Sequence, residues 1–299
     1  MDINQIELRH LRYFTILAQE LHFGRAATRL GIAQPPLSQQ IQRLEAALGT
    51  RLLDRTSRRV RLTDAGAAFL VEAERVLAGV ETAVEAARRT GRGESGELRV
   101  AFAATVMFLA LPEIIREFRL RFPRVHLDLR EMPTGPQLTA LRDGDIDIGF
   151  VREPRPDPDL EIVTVMREPL RIAVNRSHPL AARPTLAVRD LANEPFVLFP
   201  ADLAPGLHAQ VMALCRAAGF SPRVVEESRE LYTSVSLVEA GVGVSILPAS
   251  VEKLGWRGVR YRPIPSAGAE TRIAAAWRKD RVRPVIDAFM GVVGKLVPA

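Results

Sequence analysis

Residues 23–61 restrict the possible folds of this chain more than any other segment. They read FGRAATRLGIAQPPLSQQIQRLEAALGTRLLDRTSRRVR, which combines two short amphipathic helix patterns, a turn at Gly31 and an arginine-rich end. Glycine ends a helix readily because it adopts the left-handed conformation without a Cβ clash. Helix, turn, helix and basic hairpin in this order predict a winged helix-turn-helix, whose partner is DNA.

The helices of this segment follow from the spacing of apolar residues. A first helix is expected over 8–21 and a second over 24–30. The third begins near Gln34, because Pro35 and Pro36 are tolerated in a first turn, where the missing N–H groups have no helical partner. Its buried stripe is expected to consist of Leu37, Ile41, Leu44 and Leu48.

The opposite face of the third helix carries polar side chains that suit DNA. Amides bond bidentately to adenine, and hydroxyls reach bases or phosphates. Arginines in the expected hairpin 51–60 suit phosphates or a narrow minor groove. The residues predicted to bind DNA are Gln34, Pro35, Ser38, Gln39, Arg43, Arg55, Arg58 and Arg59. The alternative is a three-helix bundle with an ordinary polar surface.

The charge distribution also favours a polyanionic partner. Residues 1–63 carry ten arginines and five acidic residues, whereas the rest of the chain is nearly neutral within a net charge of +6. A basic head on a neutral body is typical of nucleic-acid-binding proteins. The alternative is a compositional bias, since all but three of the 41 basic residues are arginine.

The sequence gives little support for other classes of protein. No segment resembles a membrane span or a signal peptide, so a cytoplasmic protein without a membrane partner is expected. Cys215 is the single cysteine, and its apolar surroundings argue against a peroxide sensor. The histidines lack metal-site spacing, and the sequence DGDID lacks the glutamate of a calcium loop. We therefore expect no metal, no cofactor and no enzymatic activity.

The run ELRHLRYFTILAQELHFGRAATRLGIAQPPLSQQIQRLEAALGTRLLDRTSRRVRLTDAG resembles the N-terminal domain of LysR-type transcriptional regulators. The match is almost continuous, and it includes the AQPPLSQQIQRLE recognition helix and the closing LTDAG. The resemblance implies a DNA-binding domain over 1–63 that binds double-stranded operator DNA as a dimer. It also implies RNA polymerase as a partner.

A long helix is expected over 64–90, after the N-cap residue Thr63. Its narrow apolar seam has a heptad-like spacing and is half alanine, which favours close pairing with another helix over packing on its own domain. Family resemblance implies the same: a linker helix that pairs antiparallel in a dimer, with two dimers forming a tetramer. The glycine-rich segment 91–97 is the expected hinge.

From residue 98 onward strands alternate with helices, which indicates an α/β fold with parallel sheets. This part resembles the two-lobed effector-binding domain of the family, which is similar to periplasmic solute-binding proteins. On this basis, lobe I covers about 98–166 and 271–299, and lobe II covers about 167–270. A ligand is expected between the lobes, at strand carboxyl ends.

Three residues form a predicted anion site. Thr105 follows a strand, Thr134 lies in the turn EMPTGP, and Arg152 follows the strand IDIGFV. In a doubly wound lobe these strand ends converge on one crevice, where an arginine fork fits a carboxylate. Each residue alone also has an ordinary explanation: a helix cap, a turn residue and a surface ion pair.

The segments AFAATVMFLALPEIIREFR, EMPTGPQ, IDIGFVR, NEPFVLFP and EAGVGVSILPAS resemble regulators of benzoate, catechol and chlorocatechol degradation. The resemblance implies that Thr105, Thr134 and Arg152 bind a muconate-like or aromatic carboxylate, with aliphatic Leu207 where some members have an aromatic residue. The expected function is activation of an aromatic-compound catabolic operon. The alternative is a solute-binding protein or enzyme with a periplasmic-binding-type core, against which the basic head and the missing signal peptide argue.

Overall fold

The computed structural model describes residues 6–55, 59–266, 268–281 and 283–297. The chain forms two compact units, Met1–Arg88 and Arg89–Ala299. No helix in these ranges has the length and apolar character needed to cross a membrane. The same residues contain no group of His, Cys, Asp and Glu side chains arranged to hold a metal ion.

The first unit contains helices α1 (Leu8–Glu20), α2 (Phe23–Leu30) and α3 (Gln34–Leu48), followed by the hairpin strands β1 (Leu53–Arg55) and β2 (Val60–Leu62). The strands are antiparallel. The helices and the hairpin bury a common core that includes Phe14, Leu17, Leu37, Ile41, Leu44 and Leu53. The structure thus has the predicted helix-turn-helix with a wing.

The turn between α2 and α3 is formed as the sequence predicts. Gly31 has a φ of +68°, and its N–H donates to the carbonyl oxygen of Thr28 at 3.1 Å. At the start of α3, Pro35 and Pro36 occupy the first turn, where no backbone donor is needed.

Helix α4 (Asp64–Gly91) begins where the side-chain oxygen of Thr63 accepts a hydrogen bond from the backbone N–H of Gly66 at 2.9 Å. Its predicted apolar seam, which includes Ala73, Val76, Ala83 and Ala87, is buried at Ala73 but exposed at the other three residues. Because α4 continues to Gly91 and the next strand begins at Ser95, the connection is shorter than the hinge predicted over 91–97. The N–H of Gly93, which has a φ of +71°, donates to the carbonyl of Thr90 and closes the helix.

The second unit begins with lobe I. Strand β3 (Ser95–Phe102) pairs in parallel with β4 (Arg124–Glu131) on one side and with β5 (Ile148–Arg152) on the other. Helix α5 (Leu111–Arg121) follows a short 3-10 helix, and α6 (Thr134–Asp143) connects β4 to β5. The core of lobe I includes Leu98, Phe118, Ile148, Phe150 and Phe289, the last contributed by helix α9 (Pro284–Leu296).

Strand β6 (Leu160–Asn175) passes through both lobes. In lobe I it pairs with β11 (Glu270–Arg278), and in lobe II with β9 (Ser245–Pro248) and β10 (Val259–Pro263). All these pairings are antiparallel, so the prediction of parallel sheets holds only for part of each lobe. This is because β6 runs opposite to each of its partners, β11 in lobe I and β9 and β10 in lobe II.

Lobe II is completed by β7 (Pro195–Leu198) and β8 (Arg223–Glu227), which pair in parallel, and by helices α7 (Pro205–Ala217) and α8 (Leu231–Glu239). Its core is separate from that of lobe I and includes Leu170, Ile172, Phe196, Val211 and Ile246. Cys215 belongs to this core, and burial raises the pKa of its thiol to about 11. A thiol so buried and so weakly acidic is a poor nucleophile at neutral pH.

Candidate nucleic-acid interface and ligand cleft

The outer face of α3 presents the predicted DNA-contacting side chains. Gln34, Pro35, Gln39 and Arg43 are exposed and Ser38 is half-buried. Within the described parts of the chain, the side chains of Gln34 and Gln39 make no hydrogen bond to protein. Their amides therefore remain available for base edges.

Arg55 has a structural role that the sequence did not reveal. Its Nη2 lies 2.7 Å from Oε2 of Glu45, and its guanidinium lies 5.0 Å from the ring centre of Phe23. Oε1 of Glu45 accepts hydrogen bonds from the backbone N–H groups of Leu52 and Leu53. Arg55 thus anchors the hairpin to α3, with much of its charge already neutralised by Glu45. A phosphate would have to compete with Glu45 for this side chain.

Arg58 and Arg59 are the other hairpin residues predicted to contact DNA. Arg59 is exposed, whereas Arg58 lies outside the described residues. Their contacts with DNA remain predictions.

A cleft between the two lobes brings together all four predicted effector-binding residues. Thr105, Thr134, Arg152 and Leu207 line this cleft, which encloses about 710 Å³ including its open mouth. Each of these four side chains is at most 3% exposed. The three polar residues come from the carboxyl ends of β3, β4 and β5, as the predicted convergence of strand ends requires.

Arg152 is the polar centre of the cleft. Its backbone N–H donates to the Thr134 hydroxyl at 3.0 Å, and its Nη2 donates to the Thr105 hydroxyl at 3.1 Å. Within the described residues, its Nε and Nη1 are buried and have no hydrogen-bond partner. Burial lowers the pKa of the guanidinium, while the nearby carboxylate of Glu168 opposes that shift. Unused donors on a buried cation are the feature that an anionic ligand satisfies.

Glu168 completes this arrangement, although it was not among the residues predicted from the sequence. Its Oε1 lies 2.7 Å from Nη2 of Arg152, and its Oε2 accepts from the backbone N–H of Ser250 at 2.6 Å. Glu168 lies on β6, and Ser250 lies in a 3-10 helix after β9. No local sequence pattern marks Glu168, because its partners are distant along the chain.

Three further charged residues line the cleft, and none of them was predicted from the sequence. Glu131 comes from the end of β4, and Arg229 and Glu230 precede α8 on the other lobe. The pKa of Glu230 is raised, first by partial burial and then by the negative charge of Glu131, while Arg229 lowers it. The remaining lining is mainly apolar, with Met132, Phe199, Leu203 and Leu231.

The backbones of the two lobes approach each other closely beside the cleft. The N–H of Gly135 at the start of α6 donates to the carbonyl of Leu203 at 3.0 Å. A Cβ added to Gly135 would overlap the carbonyl oxygen of Asp202, and one added to Gly206 at the start of α7 would overlap the carbonyl oxygen of Glu153. Glycine at both positions therefore permits the observed approach of the lobes.

Known proteins resemble this chain over both of its units. Residues 8–67 match the family model of the bacterial regulatory helix-turn-helix protein, lysR family, and residues 91–297 match that of the LysR substrate binding domain. The uncharacterized HTH-type transcriptional regulator YnfL of Escherichia coli is 43% identical over 92% of this chain and 93% of its own. The HTH-type transcriptional regulator CatR of Pseudomonas putida is 39% identical over 97% of this chain and 99% of its own.

A solved structure resembles the whole chain as well. The LysR family transcriptional regulator CbnR superimposes with a TM-score of 0.81 at 34% identity, covering 96% of this chain and 100% of CbnR. Full-length CbnR in complex with its target DNA gives a TM-score of 0.80 at 33% identity, covering 97% of this chain and 99% of that one.

Proposed function

The chain belongs to the LysR family of DNA-binding transcriptional regulators, and from this premise we propose that it activates an operon for the breakdown of aromatic compounds. Its signal is a small carboxylate, muconate-like or aromatic, bound between the lobes. The observation that carries the proposal is Arg152, a buried guanidinium with unused donors at the bottom of a largely apolar cleft.

The cleft suits such a ligand in shape and in chemistry. A carboxylate accepts from one of the free nitrogens of Arg152, while Leu207 and Phe199 contact the body of the ligand. The hydroxyl of Thr105 already accepts from Arg152, so its own proton is available to a carboxylate oxygen. The aromatic nature of the regulated pathway rests on the sequence resemblance to regulators of benzoate, catechol and chlorocatechol degradation.

On the DNA side, α3 enters the major groove of a pseudo-palindromic operator, and the protein binds as a dimer. The apolar seam of α4, which is exposed at Val76 and Ala83, pairs antiparallel with its copy, and two dimers assemble into a tetramer. The ligand stabilises one arrangement of the lobes, changing which sites the four DNA-binding domains contact and how RNA polymerase is engaged. Its effect is limited to its differential affinity for the two arrangements.

The carboxylate site is tested with variants of Arg152. Thermal-shift screening against benzoate, cis,cis-muconate and related acids identifies ligands of the wild-type protein, whose affinities are then measured by calorimetry. Arg152→Lys keeps a positive charge beside Glu168 but lacks the planar fork, so we expect it to lose ligand binding while retaining DNA binding.

Arg176→Ala, an exposed arginine outside the cleft, is the control and should bind the ligand as the wild type does. Unchanged affinity in Arg152→Lys would remove Arg152 from the binding site and overturn the proposal.

A further inference from the structure

The cleft carries two carboxylates as well as its buried cation. Glu131 of lobe I and Glu230 of lobe II both line it. The pKa of Glu230 is raised, first by partial burial and then by the negative charge of Glu131. Neither carboxylate accepts a hydrogen bond from protein within the ranges that the structure describes. Two acceptors on opposite walls therefore remain open to a ligand.

The balance of charge limits what this ligand can be. The cations of the lining are Arg152 and Arg229, and its anions are Glu131 and Glu230. Glu168, which is not among the lining residues, pairs with Arg152 and neutralises its charge. A dicarboxylate placed here would bring its second charge close to Glu131, which is exposed, and Glu230, which is half-buried, against the single positive charge of Arg229. Like charges in such a setting repel each other more strongly than in bulk solvent.

From these contacts we infer that the effector is a monocarboxylate whose other end carries a hydrogen-bond donor, a hydroxyl or an ammonium group, held by Glu131 and Glu230. Arg152 and Thr105 take the carboxylate, and the apolar side chains between them contact the middle of the molecule. The inference rests on the proposed carboxylate site at Arg152 and narrows its ligand to monocarboxylic acids with a donor group, which excludes the muconate-like dicarboxylates. Because the two glutamates belong to different lobes, a donor shared between them also links ligand recognition to lobe closure.

A series of para-substituted benzoates tests this ligand class on the full-length protein. Terephthalate, benzoate, 4-hydroxybenzoate and 4-(aminomethyl)benzoate share one scaffold and differ in the charge and donors at the far end, and cis,cis-muconate adds a second dicarboxylate. We expect calorimetry at low salt to give affinities that rise from terephthalate through benzoate and 4-hydroxybenzoate to 4-(aminomethyl)benzoate. A hydrogen bond to a charged group changes a dissociation constant by about tenfold or more, so the two ends of the series should differ by at least that factor.

The isosteric variants Glu131→Gln and Glu230→Gln supply the decisive comparison. Each should weaken 4-(aminomethyl)benzoate and strengthen terephthalate, a reversal that a general loss of stability does not produce. Glu226→Gln, an exposed glutamate on β8 outside the cleft, is the matched control and should change neither affinity.

These measurements distinguish an incorrect ligand class from an incorrect carboxylate site. If terephthalate or muconate binds the wild type as tightly as 4-(aminomethyl)benzoate, and this binding is lost in Arg152→Lys, the donor-bearing class is wrong and the carboxylate site stands. If neither glutamine variant alters the preference, Glu131 and Glu230 do not contact the ligand, which also overturns the inference. If no acid of the series binds the wild type, or if binding persists in Arg152→Lys, the carboxylate site itself fails and the inference fails with it.

Discussion

Arg152 and Glu168 form an ion pair whose side chains are 3% and 5% exposed. Taking two charges out of water is costly, and the pair tolerates this cost because each member has further polar contacts. Glu168 accepts from the backbone N–H and hydroxyl of Ser250, and Arg152 donates to Thr105. The pair therefore adds little net stability. Removing either partner is nevertheless strongly destabilising, because it leaves an isolated buried charge.

Glu168→Ala should accordingly destabilise the second unit strongly. Leaving Arg152 buried without its counterion costs about 3–5 kcal/mol, measured as the free energy of unfolding in urea. The control is Glu252→Ala, because the pair between Glu252 and Arg171 is substantially exposed and is worth at most about 1 kcal/mol. Equal losses in the two variants would mean that the buried pair is hydrated and that Arg152 is less isolated than its burial indicates.

At the scale of elements, the starts of α6 and α7 determine how closely the lobes approach. Both helices begin at the cleft, and each places a glycine against a backbone carbonyl of the opposite lobe: Gly135 against Asp202, and Gly206 against Glu153. Glu153 itself has a positive φ of 44°, an uncommon conformation for a residue other than glycine. The close approach is thus between backbone atoms, so a change of side-chain rotamer cannot relieve it.

Gly206→Ala should separate the lobes. The added Cβ overlaps the backbone of Glu153, which cannot give way as a flexible side chain does, and overpacking of this kind costs about 1–3 kcal/mol. We expect faster hydrogen exchange at the N–H of Gly135, whose bond to Leu203 spans the lobes, together with a lower melting temperature.

Gly291→Ala in α9 is the matched control, since a Cβ there meets no atom within 4 Å and a helical alanine is favoured over glycine by roughly 0.5–1 kcal/mol. If Gly206→Ala exchanged and melted like the wild type, the glycine contact would not limit lobe closure.

The same elements show what the sequence can and cannot predict. The helices of the first unit were predictable because apolar spacing, Gly31 and the prolines of α3 are local signals. Thr105, Thr134 and Arg152 were predictable as neighbours because each lies at or just after the end of a strand, and strand ends of a parallel sheet meet at one edge. Glu168 and Glu230 were not, since their positions depend on how β6 and α8 bring distant segments to the cleft.

At the scale of the whole molecule, charge and ligand chemistry belong to different units. The excess of basic over acidic residues lies mostly within residues 1–63, whereas the cleft belongs to the second unit. Contacts to phosphates supply affinity without sequence preference and make binding depend on salt, whereas contacts to base edges supply discrimination. The first unit presents both kinds of side chain on α3, so the two contributions can be separated by mutation.

Gln34→Ala and Arg43→Ala should therefore weaken DNA binding in different ways. Loss of a bidentate amide at a base edge costs about 1–3 kcal/mol of discrimination, so Gln34→Ala should lower affinity for operator DNA relative to random DNA. Arg43→Ala should weaken binding to both DNAs comparably and reduce the slope of log affinity against log salt by about one. Gel shifts at several salt concentrations measure both quantities, and Arg176→Ala in the second unit controls for the loss of one positive charge. If Arg43→Ala left the salt slope unchanged while Gln34→Ala weakened both DNAs equally, the assignment of base and phosphate contacts along α3 would have to be reversed.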